Sequence, residues 1–107
     1  MSRKEQQVLS YIRQVARDNV PAGGSVILYG SRARGDAAKD SDWDILIVLD
    51  KPSIERSDYD TVSYPFFERG LSIGELFSPV LYTKEEWRRH SNTLFGYNVN
   101  SQGIKVL

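Results

Sequence analysis

Residues 43–49 read WDILIVL, and from Ile45 to Leu49 no polar residue interrupts the run. A strand with one face in water alternates apolar and polar side chains, because successive residues point to opposite faces. This run does not alternate. Both of its faces must be covered, which places it in the middle of a sheet with other elements packed above and below. Asp50, Lys51 and Pro52 then end it.

The surrounding pattern supplies the covering elements. Ser2 and Glu5 have the spacing of a capping box, and Val8, Leu9, Ile12, Val15 and Ala16 follow at helical intervals until Pro21, Gly23 and Gly24. Ser25 to Tyr29 (SVILY) is short, apolar and β-branched, and reads as a strand broken by Gly30. Ile54, Tyr59, Val62, Phe66 and Phe67 mark a helix over residues 54–72 lying on the sheet, with Pro65 expected to kink or break it. The aromatic residues of this stretch, Tyr59, Tyr64, Phe66 and Phe67, read as packing residues, and Asp58 and Asp60 as surface charges. Leu76 to Tyr82 (LFSPVLY) reads as a third strand, with Pro79 arguing for an edge position or a bulge. Thr83 and Glu86 form a second capping box that opens a helix running to about Val99, with Trp87, Leu94 and Phe95 packing. Residues 104–107 add a final strand. The order predicts one α/β (α+β) domain over residues 1–107, a small mixed β-sheet flanked by helices.

Bulk properties exclude several classes. Lysine plus arginine and aspartate plus glutamate both number 14, so zero net charge does not favour nucleic acid as a partner. The absence of cysteine removes disulfides and cysteine-ligated zinc, and a single histidine, His90, builds no histidine metal site; it is expected to face solvent or a partner. No apolar signal core stands at the N-terminus and no apolar run is long enough to cross a membrane. A cytoplasmic protein with no membrane partner is expected.

Between the first two strands lies LYGSRARGDAAKDSDWD. Asp42 and Asp44 are two apart and should share one face at the mouth of the second strand, with Trp43 turned to the core. Two carboxylates side by side repel one another, and a divalent cation removes the conflict. Mg²⁺ suits this platform, because it takes oxygen ligands and is held by one or two carboxylates together with substrate phosphates. Gly30 and Ser31 offer the complementary half. Glycine lets backbone N–H groups converge on an anion, and a short helix after Ser31 would add its dipole. Arg32 and Arg34 bring positive charge. One of them is expected to contact phosphate; the alternative for either is a solvated side chain or an ion pair to Asp36 or Asp40.

The stretch GSRARGDAAKDSDWDILIVLD, with Gly-Ser, ten residues and then Asp-x-Asp, resembles the nucleotidyltransferase superfamily that includes DNA polymerase β-like enzymes, and above all its small single-domain "minimal" members. The resemblance implies that Gly30 and Ser31 lie against the phosphates of a nucleoside triphosphate, ATP being expected, and that Asp42 and Asp44 hold two Mg²⁺ ions. An acceptor hydroxyl attacks the α-phosphate and pyrophosphate leaves. It also implies a third carboxylate on a neighbouring strand. FSPVLYT contains no acid, and Glu75, at the start of that strand, is the nearest candidate, its reach depending on register and on any bulge at Pro79. Small relatives pair with a small helical partner protein in toxin–antitoxin modules, so the resemblance leaves three acceptors open: a protein side chain on such a partner, a small molecule or RNA. The alternatives are a nucleotide- or partner-binding module of the same fold without catalysis, or a structural domain.

Overall fold

The first helix is secured locally before any packing. In the computed structural model, which describes residues 1–107, α1 spans Arg3–Asn19. Ser2 Oγ accepts from the Glu5 amide at 3.1 Å while the Ser2 amide donates to Glu5 Oε1 at 3.0 Å. These reciprocal bonds satisfy donors that every helix start leaves open. Val8, Leu9, Ile12, Val15 and Ala16 form the buried stripe.

β1 (Ser25–Tyr29), β2 (Trp43–Leu49), β3 (Phe77–Thr83) and β4 (Ile104–Lys105) build one sheet in the order β3-β2-β1-β4. β1 runs antiparallel to β2 and β4, and β3 runs parallel to β2, so the sheet is mixed as expected. β2 has a partner on each side and both faces buried. On one face Trp43, Ile45, Ile47 and Leu49 meet α1, Val62 and Phe66. On the other, Leu46 and Val48 meet Val99, with Tyr29, Tyr82, Trp87 and Phe95 packed around them.

Pro79 lies on the edge strand, as its missing N–H requires, but it makes no bulge. The β2–β3 register runs unbroken from Trp43 opposite Phe77 to Leu49 opposite Thr83. The expected helix over 54–72 keeps its course by changing pitch. α3 (Arg56–Asp58) passes through a π-helical turn (Tyr59–Ser63) into α4 (Tyr64–Ser72). Pro65 falls in the first turn of α4, directly after the π-helical turn, so the chain changes pitch there instead of breaking. Asp58 is buried rather than a surface charge. It accepts from the Glu55 amide at 2.7 Å and from Lys51 Nζ at 2.9 Å, and these bonds hold its carboxyl below the usual range. Asp60 is exposed, as read. Phe66 is fully buried, whereas Tyr59, Tyr64 and Phe67 are exposed, because the outer side of this helix has nothing packed on it.

The expected helix from Thr83 to about Val99 is two helices. Thr83 caps α5 (Lys84–His90) with the anticipated box, at 3.1 and 2.9 Å. The chain then turns at residues 91–93, and Thr93 caps α6 (Leu94–Gln102), accepting from the Gly96 amide at 3.1 Å. Any Cβ at Gly96 would run into the His90 carbonyl, so glycine lets the new helix cross close to the end of α5. The turn leaves Leu94 76% exposed instead of packed, and brings Phe95 edge-on to Tyr29 at 5.5 Å and to Trp87 at 5.7 Å. Trp87 packs half-buried beside Leu46 and Val48. His90 is half-buried, with its ring against Tyr82 at a centre-to-centre distance of 4.9 Å. No helix is long and apolar enough to cross a membrane.

Candidate functional site

β1 ends at Tyr29, opposite Asp44 of β2, and the backbone must leave the sheet at once. Gly30 makes that exit at φ +77° and ψ −160°, a region only glycine occupies without strain. It also has to be bare. An added Cβ would overlap Asp44 Oδ2 and lie 3.2 Å from its Cγ, so the turn is seated directly against that carboxylate. α2 (Ser31–Arg34) starts immediately, its first bonds running from the Ala33 and Arg34 amides to the Gly30 carbonyl at 3.1 Å each. The amides of Ser31 and Arg32 come before that first bond and are the helix's open donors.

The acids come together as their spacing predicts. Asp42 lies close enough for its charge to act on Asp44, whose carboxyl is raised above its ordinary value by burial first and by Asp42 second, with Arg34 pulling the other way. Tyr29 beside them has its phenol raised by burial and by Asp44. Asp42 Oδ2 accepts a hydrogen bond from Ser78 Oγ at 3.0 Å. Ser78 pairs with Asp44 across the parallel β2–β3 ladder. Sequence reasoning passed over this serine. The only signal for it is that pairing, which no local pattern reveals.

Glu75 is not brought to the acids. The unbroken register sets Phe77, two residues on, opposite Trp43 on the core face, and Glu75 continues that face. Its carboxylate accepts from Trp43 Nε1 at 2.8 Å and lines a cavity of about 260 Å³ with Lys4, Val8 and Trp43, behind the sheet. Nowhere do three aspartate, glutamate, histidine or cysteine side chains gather as a metal site, so the pair stands without a third carboxylate.

The two arginines divide the labour. Arg32 is buried, and its guanidinium is fully engaged inside the chain. Nε and Nη2 donate to the Ser41 carbonyl at 3.2 and 3.0 Å, Nη2 donates to the Lys39 carbonyl at 3.0 Å, and Nη1 pairs with Glu5 at 3.4 Å. It lies 4.8 Å from the Trp43 ring centre. Arg32 therefore does not contact phosphate; it fastens the loop that delivers Asp42, and its ion-pair partner is Glu5 rather than Asp36 or Asp40. Arg34 faces outward, pairs with Asp36 at 3.3 Å, and borders a cavity of about 200 Å³ with Gly30, Tyr29, Asn98 and Gln102. An exposed pair of this kind is weak and exchanges readily for a ligand. With oxygen donors only, two carboxylates and a hydroxyl, the site matches the chemistry of a hard divalent cation such as Mg²⁺.

A glycine turn that opens a short helix is thus set beside a strand that opens on two acids. The sequence identifies the family to which this arrangement belongs. Residues 9–98 match the nucleotidyltransferase domain model, and the chain belongs to that family of transferases. No curated protein matches the sequence significantly. Solved structures share the fold at low identity. One is a toxin–antitoxin complex with AMP-PNP, with a TM-score of 0.65, 19% identity, and 92% of this chain and 72% of that one covered. Another is the complex of tri-AMPylated Shewanella oneidensis HEPN toxin with MNT antitoxin, with a TM-score of 0.62, 17% identity, and coverage of 96% and 71%. A third is a Sulfolobus solfataricus protein provisionally assigned as a nucleotidyltransferase, with a TM-score of 0.59, 20% identity, and coverage of 94% and 80%.

Proposed function

We propose that this protein moves AMP from ATP to a hydroxyl on a small helical partner protein, with Asp42 and Asp44 holding Mg²⁺ and with Gly30, Ser31 and Arg34 receiving the phosphates. The observation that carries the reading is the seating of the Gly30 turn against the Asp44 carboxylate, which puts anion donors and cation ligands in one place. In the reaction the acceptor oxygen bonds to the α-phosphorus and the bond to the β-phosphate oxygen breaks. Pyrophosphate leaves with that electron pair, and the hydroxyl proton passes to solvent. Bound Mg²⁺ supplies neutralisation of charge on the reacting oxygens. The chain's own groups orient the triphosphate, and the open cavity beside Gly30 and Arg34 gives it room. The likeness to folds solved with AMP-PNP and with an AMPylated toxin supports adenylate as the group moved and a toxin-like protein as the acceptor.

The test uses ATP labelled at the α-phosphate, Mg²⁺, the purified protein and a lysate of its own cells, with Asp42→Asn/Asp44→Asn as the control. Label in a discrete protein with the wild type only is the expected result. One observation favours a second reading, a nucleotide-binding module without catalysis: Ser78, not a carboxylate, stands across from Asp44. Mg²⁺-dependent ATP binding with no labelled acceptor would establish that reading instead.

A further inference from the structure

A site with two carboxylates and a hydroxyl treats a cation differently from one with three carboxylates. Ser78 belongs to the edge strand β3 and shares the sheet face of Asp44, its partner in the parallel ladder. It is half-buried and donates its proton to Asp42 Oδ2 at 3.0 Å. That bond gives Asp42 a fixed orientation with no cation present. It also stabilises the carboxylate's charge at the position where a third acid would add repulsion. No other acid compensates, since Glu75 is tied to Trp43 on the opposite face. Arg34, which borders the same cavity as Gly30 and whose charge acts on Asp44, further reduces the acids' pull on a metal.

We propose that Ser78 is a positioning residue that makes cation binding depend on the nucleotide: it holds Asp42 ready but leaves the site too weakly charged to retain Mg²⁺ until triphosphate oxygens complete the ligand set. The inference rests on the transferase reading above and deepens it. Mg²⁺ keeps its waters and binds through one or two carboxylates when phosphates supply the remainder, whereas an added carboxylate raises affinity for the bare ion. The cation then enters as the metal–nucleotide complex, and the protein without nucleotide stays free of it. A hydroxyl in this position also suits the edge strand, because Ser78 needs no cation to satisfy it.

The experiment measures Mn²⁺ uptake by paramagnetic resonance, with and without AMP-PNP, in the wild type, Ser78→Asp and Ser78→Ala. Circular dichroism checks that each variant is folded. The wild type is expected to take up Mn²⁺ only when AMP-PNP is present. Ser78→Asp should bind Mn²⁺ alone about tenfold or more tightly than the wild type, following the added ligand charge. Ser78→Ala should bind the Mn²⁺–AMP-PNP complex about tenfold more weakly, as when a partner that orients a metal ligand is lost. Wild-type uptake of bare Mn²⁺ as tight as that of Ser78→Asp would overturn the inference. So would nucleotide-dependent uptake indifferent to both substitutions, and that result would leave the transferase reading standing. If the wild type takes up no Mn²⁺ with AMP-PNP or with the other triphosphates, the transferase reading fails and this inference fails with it.

Discussion

Replacing Gly30 by alanine separates the two demands that the turn places on its residue. The backbone at φ +77° and ψ −160° lies in a region essentially reserved for glycine, and forcing a side chain into it costs about 1–3 kcal/mol. The new Cβ also overlaps Asp44 Oδ2. Asp44 is only half-buried at the strand mouth, so it can rotate away. That relief adds little to the stability cost but takes the carboxylate out of register with the turn. Gly35 is the internal comparison. It has φ +84°, yet nothing lies within 4 Å of where its Cβ would stand. Gly35→Ala should therefore cost about 1–2 kcal/mol from the left-handed backbone alone. In a chain of this size each kcal/mol lowers the melting temperature by about 4–8 °C. The two variants should thus melt at comparably reduced temperatures. Their nucleotide affinities should diverge, with Gly30→Ala weakening Mn²⁺–AMP-PNP about 10–100-fold, as when the orientation of a metal ligand is lost. Gly35→Ala should bind as the wild type does. Thermal melts and calorimetric titration on both proteins decide the matter. If Gly30→Ala binds nucleotide as tightly as Gly35→Ala, the close seating of turn and carboxylate has no functional weight and the reasoning fails.

Arg32→Ala should lose roughly 2–4 kcal/mol in urea unfolding, because it strands the Ser41 and Lys39 carbonyls and unpairs Glu5, and Arg32→Lys should not rescue it, since one ammonium cannot replace the planar fork; wild-type stability in either variant would contradict the fastening role. Burial, and then the charge of Asp42, raise Asp44 above its ordinary value, so the folded chain holds that proton longer than the unfolded one, and stability falls as pH rises through the raised value. Asp44→Asn removes this loss and should melt above the metal-free wild type at neutral pH, the difference vanishing in acid, while Mg²⁺ with nucleotide stabilises only the wild type; melts across pH that show the variant less stable throughout would refute the assignment. Asp58 is held low, chiefly by the Glu55 amide and then by Lys51, so its contribution is present above its ordinary range and lost as pH falls through its depressed value. Asp58→Asn should therefore flatten the acid limb of the stability curve, and an unchanged acid limb would count against that role.

Much of the architecture was legible because it is encoded within a few residues. The capping boxes at Ser2 and Thr83 are spacing rules that close on themselves, and both form as read. The unalternating run of β2 could lie nowhere but inside a sheet. The second cap at Thr93 was present in the sequence too, behind Ser91 and Asn92, but the helical periodicity on either side masked it. The exposure of Tyr59, Tyr64 and Phe67 was not legible, since an aromatic residue at helical spacing looks the same whether or not an element covers it.

At the site the division is sharper. Gly30, Ser31, Asp42 and Asp44 could be named as candidates from the chain alone, because a turn that admits only glycine and a pair of acids at strand spacing are properties of neighbouring residues. Arg32 and Arg34 are identical in chemistry and two apart in sequence. Only the packing of a four-residue helix on Trp43 and Glu5 turned one inward as a fastener and left the other beside the acids. Likewise, only the register of β3 on β2 decided that Glu75 points behind the sheet and that Ser78 faces the acids. Strand pairing over such a separation is set by how whole faces bury, and a shift of one residue would exchange every side chain between them. The sequence thus determined which chemistry this chain carries, and the tertiary structure determined which of its charged and polar side chains reach it.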